Sequence, residues 1–129
     1  MTLLAKRQER SIVLSMSYIT TAIDYTNGPP HIGHAYEKVL ADVLARWHRM
    51  KGEEVYFLTG VDQHGQKVQQ TAEKLGITPQ EHVNNITEQF LALWNRLGIS
   101  NDGWASTTDP RHKACVQKIL TDLKDKGQL

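Results

Sequence analysis

The sequence is poor in cysteine and in long apolar runs. Its 129 residues include one cysteine, Cys115, so neither an intramolecular disulfide nor a cysteine-based zinc cluster forms within them. No apolar run approaches the roughly 20 residues that span a bilayer, and residues 1–17 lack the apolar stretch of a secretory signal. These absences are typical of a soluble, cytoplasmic protein without membrane contact, and its 40% hydrophobic residues are enough for a packed core.

An excess of one charge is also lacking. Fifteen Lys and Arg residues face 14 Asp and Glu residues, which gives a net charge of +1. A sequence-wide electrostatic grip on nucleic acid is therefore not expected, although a local basic patch stays open. The length fits one ordinary globular domain and is small for a complete multi-step enzyme.

Strand and helix signals alternate along the chain. Residues 18–23 and 55–58 are predicted strands, and 99–104 is irregular or a short strand. Helices are predicted at 32–50, at about 64–75, after the capping box Thr78-Pro79-Gln80-Glu81, and from Pro110. This order predicts an α/β fold with parallel strands and flanking helices. Residues 1–16 are predicted to be a disordered extension.

The periodic apolar side chains of the helices are expected to face the core. They are Val39, Leu40, Val43, Leu44, Trp47 and Met50 in the first helix, Val83, Ile86, Phe90, Leu93, Trp94 and Leu97 in the third, and Val116, Ile119, Leu120 and Leu123 in the last. Cys115 is expected to be a buried small hydrophobe. The histidines at 48, 82 and 112 are expected on helix surfaces.

Two histidines open the first long helix, in the segment Pro29-Pro30-His31-Ile32-Gly33-His34. Three residues apart, they lie on nearly the same side of the first turn, where unpaired backbone N–H groups and the helix dipole favour an anion. Imidazole N–H donors there can hold phosphate oxygens and stabilise charge that develops at phosphorus. Gly33, without a side chain, lets a flat ring approach the backbone. The segment predicts a phosphate-handling site with His31 and His34 as catalytic residues.

Other roles for these histidines stay open. Two ordinary, partly exposed histidines at a helix start would show the same short pattern. A zinc site would use His31, His34 and His64, but the sequence offers no further ligand or second shell for it. No metal site is therefore predicted.

A second polar cluster, Asp62-Gln63-His64, follows the second predicted strand. Open α/β sheets bind ligands at the carboxyl ends of their strands. Asp62 can accept hydrogen bonds from a cationic group such as an α-amine. It can equally cap the helix that is predicted to begin near His64, and the sequence leaves both roles open.

The segment His31-Ile32-Gly33-His34 is the HIGH signature of class I aminoacyl-tRNA synthetases, and its surroundings resemble the methionyl-tRNA synthetase family. The resemblance rests on YITTA at 18–22 with NGPPHIGHAY at 27–36, ADVLAR at 41–46, FLTGVDQHGQK at 57–67 and TTDPRHK at 107–113. At position 24 the sequence has Asp, where this family leads us to expect Pro or Tyr.

What the resemblance implies is a Rossmann-like nucleotide-binding catalytic domain, with residues 17–129 as its N-terminal part. By position, His31 and His34 would contact the phosphates of ATP, and Gly33 would lie beneath the adenine. Methionine would contact Ala22, Ile23 and Tyr25, and its α-amino group would be held by Asp62. The implied activity is that of a methionine–tRNA ligase, which converts L-methionine and ATP, bound as its Mg²⁺ complex, to methionyl-adenylate and pyrophosphate and then aminoacylates tRNA(Met).

Several family features have no counterpart in the 129 residues: a Lys-Met-Ser-Lys-Ser loop, a connective domain that in some members binds zinc, and an anticodon-binding domain. The sequence is therefore expected to be an N-terminal fragment, inactive and marginally stable by itself. Two other functions stay open. One is a truncated module that binds nucleotide or methionine without catalysis, and the other is an H-x-G-H nucleotidylyltransferase.

Overall fold

Three parallel strands in the order β1-β2-β3 form the sheet of the computed structural model, which describes residues 16–129. Along the chain the elements are β1 (Met16–Tyr25), α1 (Ile32–Met50), β2 (Glu54–Asp62), α2 (Gln66–Leu75), α3 (Pro79–Leu97), β3 (Gly103–Ser106) and α4 (Pro110–Asp125). The predicted α/β fold with a parallel sheet is confirmed. The predicted extension, up to residue 15, lies outside the described residues, and Met16 begins β1.

The core lies on the face of β2 that carries Phe57 and Val61. Side chains four residues apart in a strand share a face, and both are fully buried. Phe57 packs against Ala41 and Ala45 of α1. Val61 lies at the α3 end of the same face, where it packs against Ile86, Phe90 and Trp94. Helices α1 and α3 therefore cover one side of the central strand together.

The face of α3 was predicted correctly. Its buried apolar residues are Val83, Ile86, Phe90 and Trp94, whereas Leu97 at the end of the helix is exposed. The prediction for His82 is wrong, because this side chain lies on the same buried side of α3. It is 4% exposed, and its Nε2 has no hydrogen-bond partner within residues 16–129.

The predicted inward face of α1 is wrong. The residues that α1 buries are Lys38, Ala41, Asp42 and Ala45, while the six apolar residues predicted to face the core are between 40% and 87% exposed, Trp47 among them. Two alanines let the helix backbone approach the sheet closely, and Asp42 is bonded on that side to the backbone N–H and hydroxyl of Ser100. The apolar stripe lies on the opposite side of α1.

Helix α4 also exposes its apolar residues, contrary to prediction. Val116, Ile119 and Leu120 are between 40% and 51% exposed, Leu123 is half-buried, and Cys115 is exposed. The physical reason is that no element within the described part of the chain packs extensively against α4. The helix itself begins where the sequence predicted, with Asp109 accepting a hydrogen bond from the Arg111 N–H at 2.8 Å.

No helix among residues 16–129 is both long enough and apolar enough to cross a membrane.

We expect residues 16–129 by themselves to unfold in a broad transition and to bind hydrophobic dyes, because the apolar faces of α1 and α4 lie in water. Leaving about 400 Å² of apolar area exposed forgoes about 10 kcal/mol, which is comparable to the whole stability of a domain. Thermal unfolding followed by circular dichroism, with dye fluorescence in parallel, measures this. A sharp two-state transition without dye binding would contradict the expectation.

Candidate active site

The predicted site residues meet where β1 and β2 end. Tyr25, the last residue of β1, pairs with Asp62, the last residue of β2. Beyond this pair, Thr26 donates from both its backbone N–H and its hydroxyl to the carbonyl oxygen of Asp62, at 3.0 Å each. The chain then turns through Pro29 and Pro30 into α1, so one edge of the sheet carries the carboxyl ends of both strands and leads directly into the first turn of α1.

His31 and His34 cap the first turn of α1 reciprocally. His31 is the N-cap residue, and its Nδ1 accepts a hydrogen bond from the Gly33 N–H at 3.1 Å. The Nδ1 of His34 accepts from the His31 N–H at 3.1 Å, and the two rings stack with centroids 3.7 Å apart. A capping box is ordinarily built from Ser or Thr and Glu or Gln; here two imidazoles fill both positions.

This cap determines the neutral tautomer of both rings. A nitrogen that accepts a hydrogen bond carries no proton, so each neutral ring must carry its proton on Nε2. Nε2 is therefore the donor that each histidine has left for a ligand. The arrangement presents two ring N–H donors at a helix N-terminus, where the dipole already favours an anion.

The surroundings of His34 keep its ring neutral. Burial lowers the pKa of His34 below its usual 6.5, the neighbouring Asp24 opposes that shift, and His31 adds to it. Phe90 of α3 meets the His34 ring edge-on, with centroids 5.1 Å apart. A core residue therefore supports the ring on the side away from solvent.

The capping role considered for Asp62 is wrong. Helix α2 begins at Gln66, its N-cap residue is Gly65, and no side chain among residues 16–129 caps it. Asp62 is half-buried, and its Oδ1 accepts from the His64 N–H at 3.1 Å and from the Thr107 hydroxyl at 3.2 Å. Both bonds go to Oδ1, so within residues 16–129 Oδ2 is left for a cationic partner.

A polar network that the sequence did not predict holds the segment after Asp62. The Gln63 N–H donates to the Thr107 hydroxyl at 2.8 Å, and the Gln63 side chain binds the hydroxyls of Ser106, Thr108 and Thr87. These partners come from the end of β3 and from α3. The segment TTDP at 107–110 belongs to the family resemblance, but nothing in its local sequence indicates that it packs against Gln63.

Tyr25 needs the glycine at position 65. A Cβ added to Gly65 would lie 1.9 Å from the Tyr25 hydroxyl, far inside van der Waals contact. Gly65 also has φ +140°, a conformation that side-chain-bearing residues rarely adopt. Gly33 is less constrained, because a Cβ there would lie 3.0 Å from the ring of His31, a tight contact that requires this side chain to move by a few tenths of an ångström.

Two shallow clefts of about 220 Å³ each lie along β3 and α4. One is lined by His64, Thr107 and the first turns of α4, and neither includes His31 or His34. His64 turns its Nε2 towards the Thr107 carbonyl oxygen at 3.2 Å rather than towards the other two histidines. Within residues 16–129, no group of three or more His, Cys, Asp or Glu side chains is placed to hold a metal ion.

Comparison with known proteins decides the family. The model of the family described as "tRNA synthetases class I (M)" matches residues 17–129. The chain belongs to this family. The family resemblance predicted from the sequence is thus confirmed.

Curated relatives of this class I synthetase chain include two bacterial methionine–tRNA ligases. Those of Streptomyces coelicolor and Deinococcus radiodurans are each 50% identical to it over 113 residues, which is 87% of this chain and 21% and 17% of theirs. The chain therefore spans about a fifth of the length of the curated relatives that it matches.

Solved structures of class I synthetases share its fold. Methionyl-tRNA synthetase of Mycobacterium tuberculosis, in complex with methionyl-adenylate, superimposes with a TM-score of 0.84 at 37% identity, over 87% of this chain and 22% of that one. A LeuRS–tRNA ternary complex from Agrobacterium radiobacter gives a TM-score of 0.80 at 27% identity, over 86% of this chain and 15% of that one. The three-stranded sheet and its helices thus match part of the Rossmann-like catalytic domain.

We expect His34 to titrate below 6.5, and we expect both His31 and His34 to be Nε2–H tautomers when neutral. Between the folded pKa of His34 and about 6.5, the unfolded chain binds more protons, so the free energy of unfolding rises with pH. This contribution is complete above about 6.5 and is lost as pH falls through the window. Nitrogen-15 NMR of histidine-labelled protein measures tautomer and midpoint, with His31→Gln and His34→Gln to assign the signals. An Nδ1–H tautomer at His34 would contradict the capping geometry.

Proposed function

We propose that this chain is the part of a methionine–tRNA ligase that binds ATP and L-methionine and forms methionyl-adenylate. The observation that carries the proposal is the histidine capping box, which commits Nδ1 of both rings to the backbone and leaves two Nε2 donors at the start of α1. The complex of the Mycobacterium relative with methionyl-adenylate supports the choice of amino acid and nucleotide.

In this proposal ATP lies with its phosphates at the N-terminus of α1 and enters as its Mg²⁺ complex. The Nε2–H groups of His31 and His34 donate to phosphate oxygens, and Gly33 gives the adenine access to the backbone. Because the donors are already oriented by the cap, they stabilise the negative charge that develops on the oxygens of the α-phosphorus without reorganising.

Methionine lies against the end of β1. The Asp62 carboxylate accepts hydrogen bonds from its α-ammonium group through Oδ2, while Thr107 and the His64 N–H hold Oδ1 in place. Ala22, Ile23 and Tyr25 contact the rest of the amino acid. The hydroxyl of Tyr25 lies over Gly65, so the same glycine that ends the Asp62 segment also fixes one wall of the methionine site.

The reaction needs no covalent enzyme intermediate. A methionine carboxylate oxygen attacks the α-phosphorus of ATP, the bond from that phosphorus to the bridging oxygen breaks, and pyrophosphate leaves. The 3′-terminal hydroxyl of tRNA(Met) then attacks the carbonyl carbon of methionyl-adenylate and gives up its proton, while the bond from that carbon to the phosphate oxygen breaks and AMP leaves. We place the whole protein in the cytoplasm, where it would supply translation.

We expect the product of the complete reading frame to exchange pyrophosphate into ATP only when methionine is added. Methionine-dependent exchange is the partial reaction of adenylate formation, so it tests the proposal without tRNA. Exchange that follows another amino acid, or none, would overturn it in favour of a different synthetase or a nucleotidylyltransferase. Binding of methionine and ATP without exchange would instead indicate a module that binds without catalysis.

We expect His34→Asn to lower kcat for exchange by about 10²–10³-fold, which corresponds to the loss of one donor to developing charge. The Asn oxygen can still accept from the His31 N–H, so the variant separates the lost Nε2 donor from the lost cap, and His34→Ala removes both. KM for methionine should change less than about twofold, because the contact strengthens in the transition state. His112→Asn, on the exposed surface of α4, is the matched control. Normal kcat in His34→Asn would contradict the assigned role.

Asp62→Asn should act mainly on methionine binding. The substitution preserves an oxygen that can accept from His64 and Thr107 but removes the charge that faces the α-ammonium group. We expect KM for methionine to rise at least about tenfold, within the range for a hydrogen bond to a charged group, with KM for ATP unchanged. The control is Asp109→Asn, because Asp109 is another carboxylate that accepts a hydrogen bond from a backbone N–H. Equal effects of the two variants would refute the assignment.

A further inference from the structure

The end of β1 departs from its ladder with β2. Thr20 pairs with Leu58, but the next paired residue is Ile23, which faces Gly60. Three steps on β1 therefore match two on β2, and Thr21 and Ala22 form a bulge. Bulges bend a strand and change the direction of the side chains that follow. Here the residues that follow are those proposed to contact methionine.

Consecutive residues of α1 satisfy the backbone that the bulge frees. The Ala22 N–H donates to Oε1 of Glu37 at 3.1 Å, and Nζ of Lys38 donates to the Ala22 carbonyl oxygen at 3.0 Å. Unpaired backbone groups of this kind are costly unless they find a partner. Glu37 and Lys38 thus hold Ala22 by both its donor and its acceptor.

Lys38 makes all of its hydrogen bonds next to the bulge. Its ammonium also donates to Asp24 at 2.9 Å and to Glu37 at 2.7 Å, so its three protons are all used. Its side chain is fully buried, the Asp24 side chain is 2% exposed, and Nζ lies 5.6 Å from the centroid of the Trp94 ring. The Lys38 ammonium group is therefore buried next to the bulge, within hydrogen-bond distance of Ala22.

A contribution to stability does not explain the buried ion pair of Lys38 and Asp24. A buried pair must overcome the desolvation of both charges, and apolar residues of similar volume often serve as well. Burial raises the pKa of Asp24 despite the opposing Lys38, and its Oδ2 is buried without a partner within the described residues. The Ala22 carbonyl also accepts from the Thr21 hydroxyl at 2.8 Å, but Thr21 belongs to the bulge itself. What an apolar pair could not supply is a donor that ties this carbonyl to α1.

We propose that Glu37 and Lys38, with Asp24 as the counter-ion, are positioning residues that hold the β1 bulge and thereby set the affinity for methionine. This inference rests on the proposed function, in which Ala22, Ile23 and Tyr25 contact the amino acid. The cap of His31 and His34 does not depend on these bonds. Loss of the bonds from Glu37 and Lys38 to Ala22 should therefore weaken methionine binding and leave ATP binding unchanged.

The test compares paired variants in the product of the complete reading frame. Asp24→Val/Lys38→Met removes one charge of each sign, so it leaves neither partner buried alone and keeps the net charge beside His34 constant. We expect KM for methionine to rise at least about tenfold, equivalent to ~1.4 kcal/mol, while KM for ATP changes less than about twofold. Arg49→Met, which removes bonds from α1 to Ser100 and Asp102, controls for a general loosening of α1.

Glu37→Gln and Glu37→Leu add a conservative comparison at a half-buried position. Gln keeps an oxygen for the Ala22 N–H and should leave KM for methionine nearly normal, whereas Leu should raise it. A double variant that folds with an unchanged ratio of the two KM values, or one that matches Arg49→Met, would overturn the inference.

Amide hydrogen exchange supplies a readout that needs no activity. Exchange at residues 22–25 should accelerate at least about tenfold in Asp24→Val/Lys38→Met and in Glu37→Leu, but not in Arg49→Met. If the parent protein lacks methionine-dependent exchange of pyrophosphate, the proposed function fails and the assignment to methionine fails with it. Unchanged amide protection of residues 22–25 in Asp24→Val/Lys38→Met and Glu37→Leu would show that Glu37 and Lys38 do not hold the bulge, whatever the activity of the parent protein.

Discussion

The first turn of α1 has backbone N–H groups that need acceptors, and the rest of the site depends on which side chains supply them. Because two histidines do so through Nδ1, their Nε2 donors are fixed by the fold rather than by a ligand. The constraint extends to neighbours on both sides. A Cβ at position 33 would crowd the His31 ring at 3.0 Å, and Phe90 supports His34 from the core. Each ring therefore has two uses: its Nδ1 caps the helix, and its Nε2 is left as a donor for a ligand.

Local patterns were enough to predict the alternation of strands and helices, the buried face of α3, and the position of Asp62 at the carboxyl end of a strand. Each of these follows from neighbours in sequence: apolar spacing along α3, Thr78 and Asp109 before helices, and the common direction of parallel strands. The HIGH segment was predicted as a phosphate site, and its geometry suits that role. Its second role as a reciprocal cap was missed, since capping boxes are sought among Ser, Thr, Glu and Gln.

What the sequence could not predict depends on partners far along the chain. Apolar periodicity in α1 shows which residues leave water readily, but it does not show which element covers them. The side of α1 that packs on the sheet instead carries Ala41 and Ala45, together with the hydrogen-bonded Lys38 and Asp42. Lys38 reads as an ordinary helix-surface lysine until the bulge in β1 brings the Ala22 carbonyl within its reach. The links from Gln63 to Thr87 and to Thr107 span 24 and 44 residues, and no local signal marks them.

The two halves of the site are joined by the packing of α3 on α1. His34 and Lys38 lie one turn apart on α1, and their neighbours Phe90 and Trp94 lie one turn apart on α3. Residues four apart share a helix face, so the two contacts form in the same register and one cannot shift without the other. Phe90 lies against the ring that we propose to face the phosphates, and Trp94 lies against the lysine that we propose to hold the end of β1. The core thereby sets the distance between the proposed phosphate and amino-acid sites, which an in-line attack of the carboxylate on the α-phosphorus requires to be fixed before the substrates arrive.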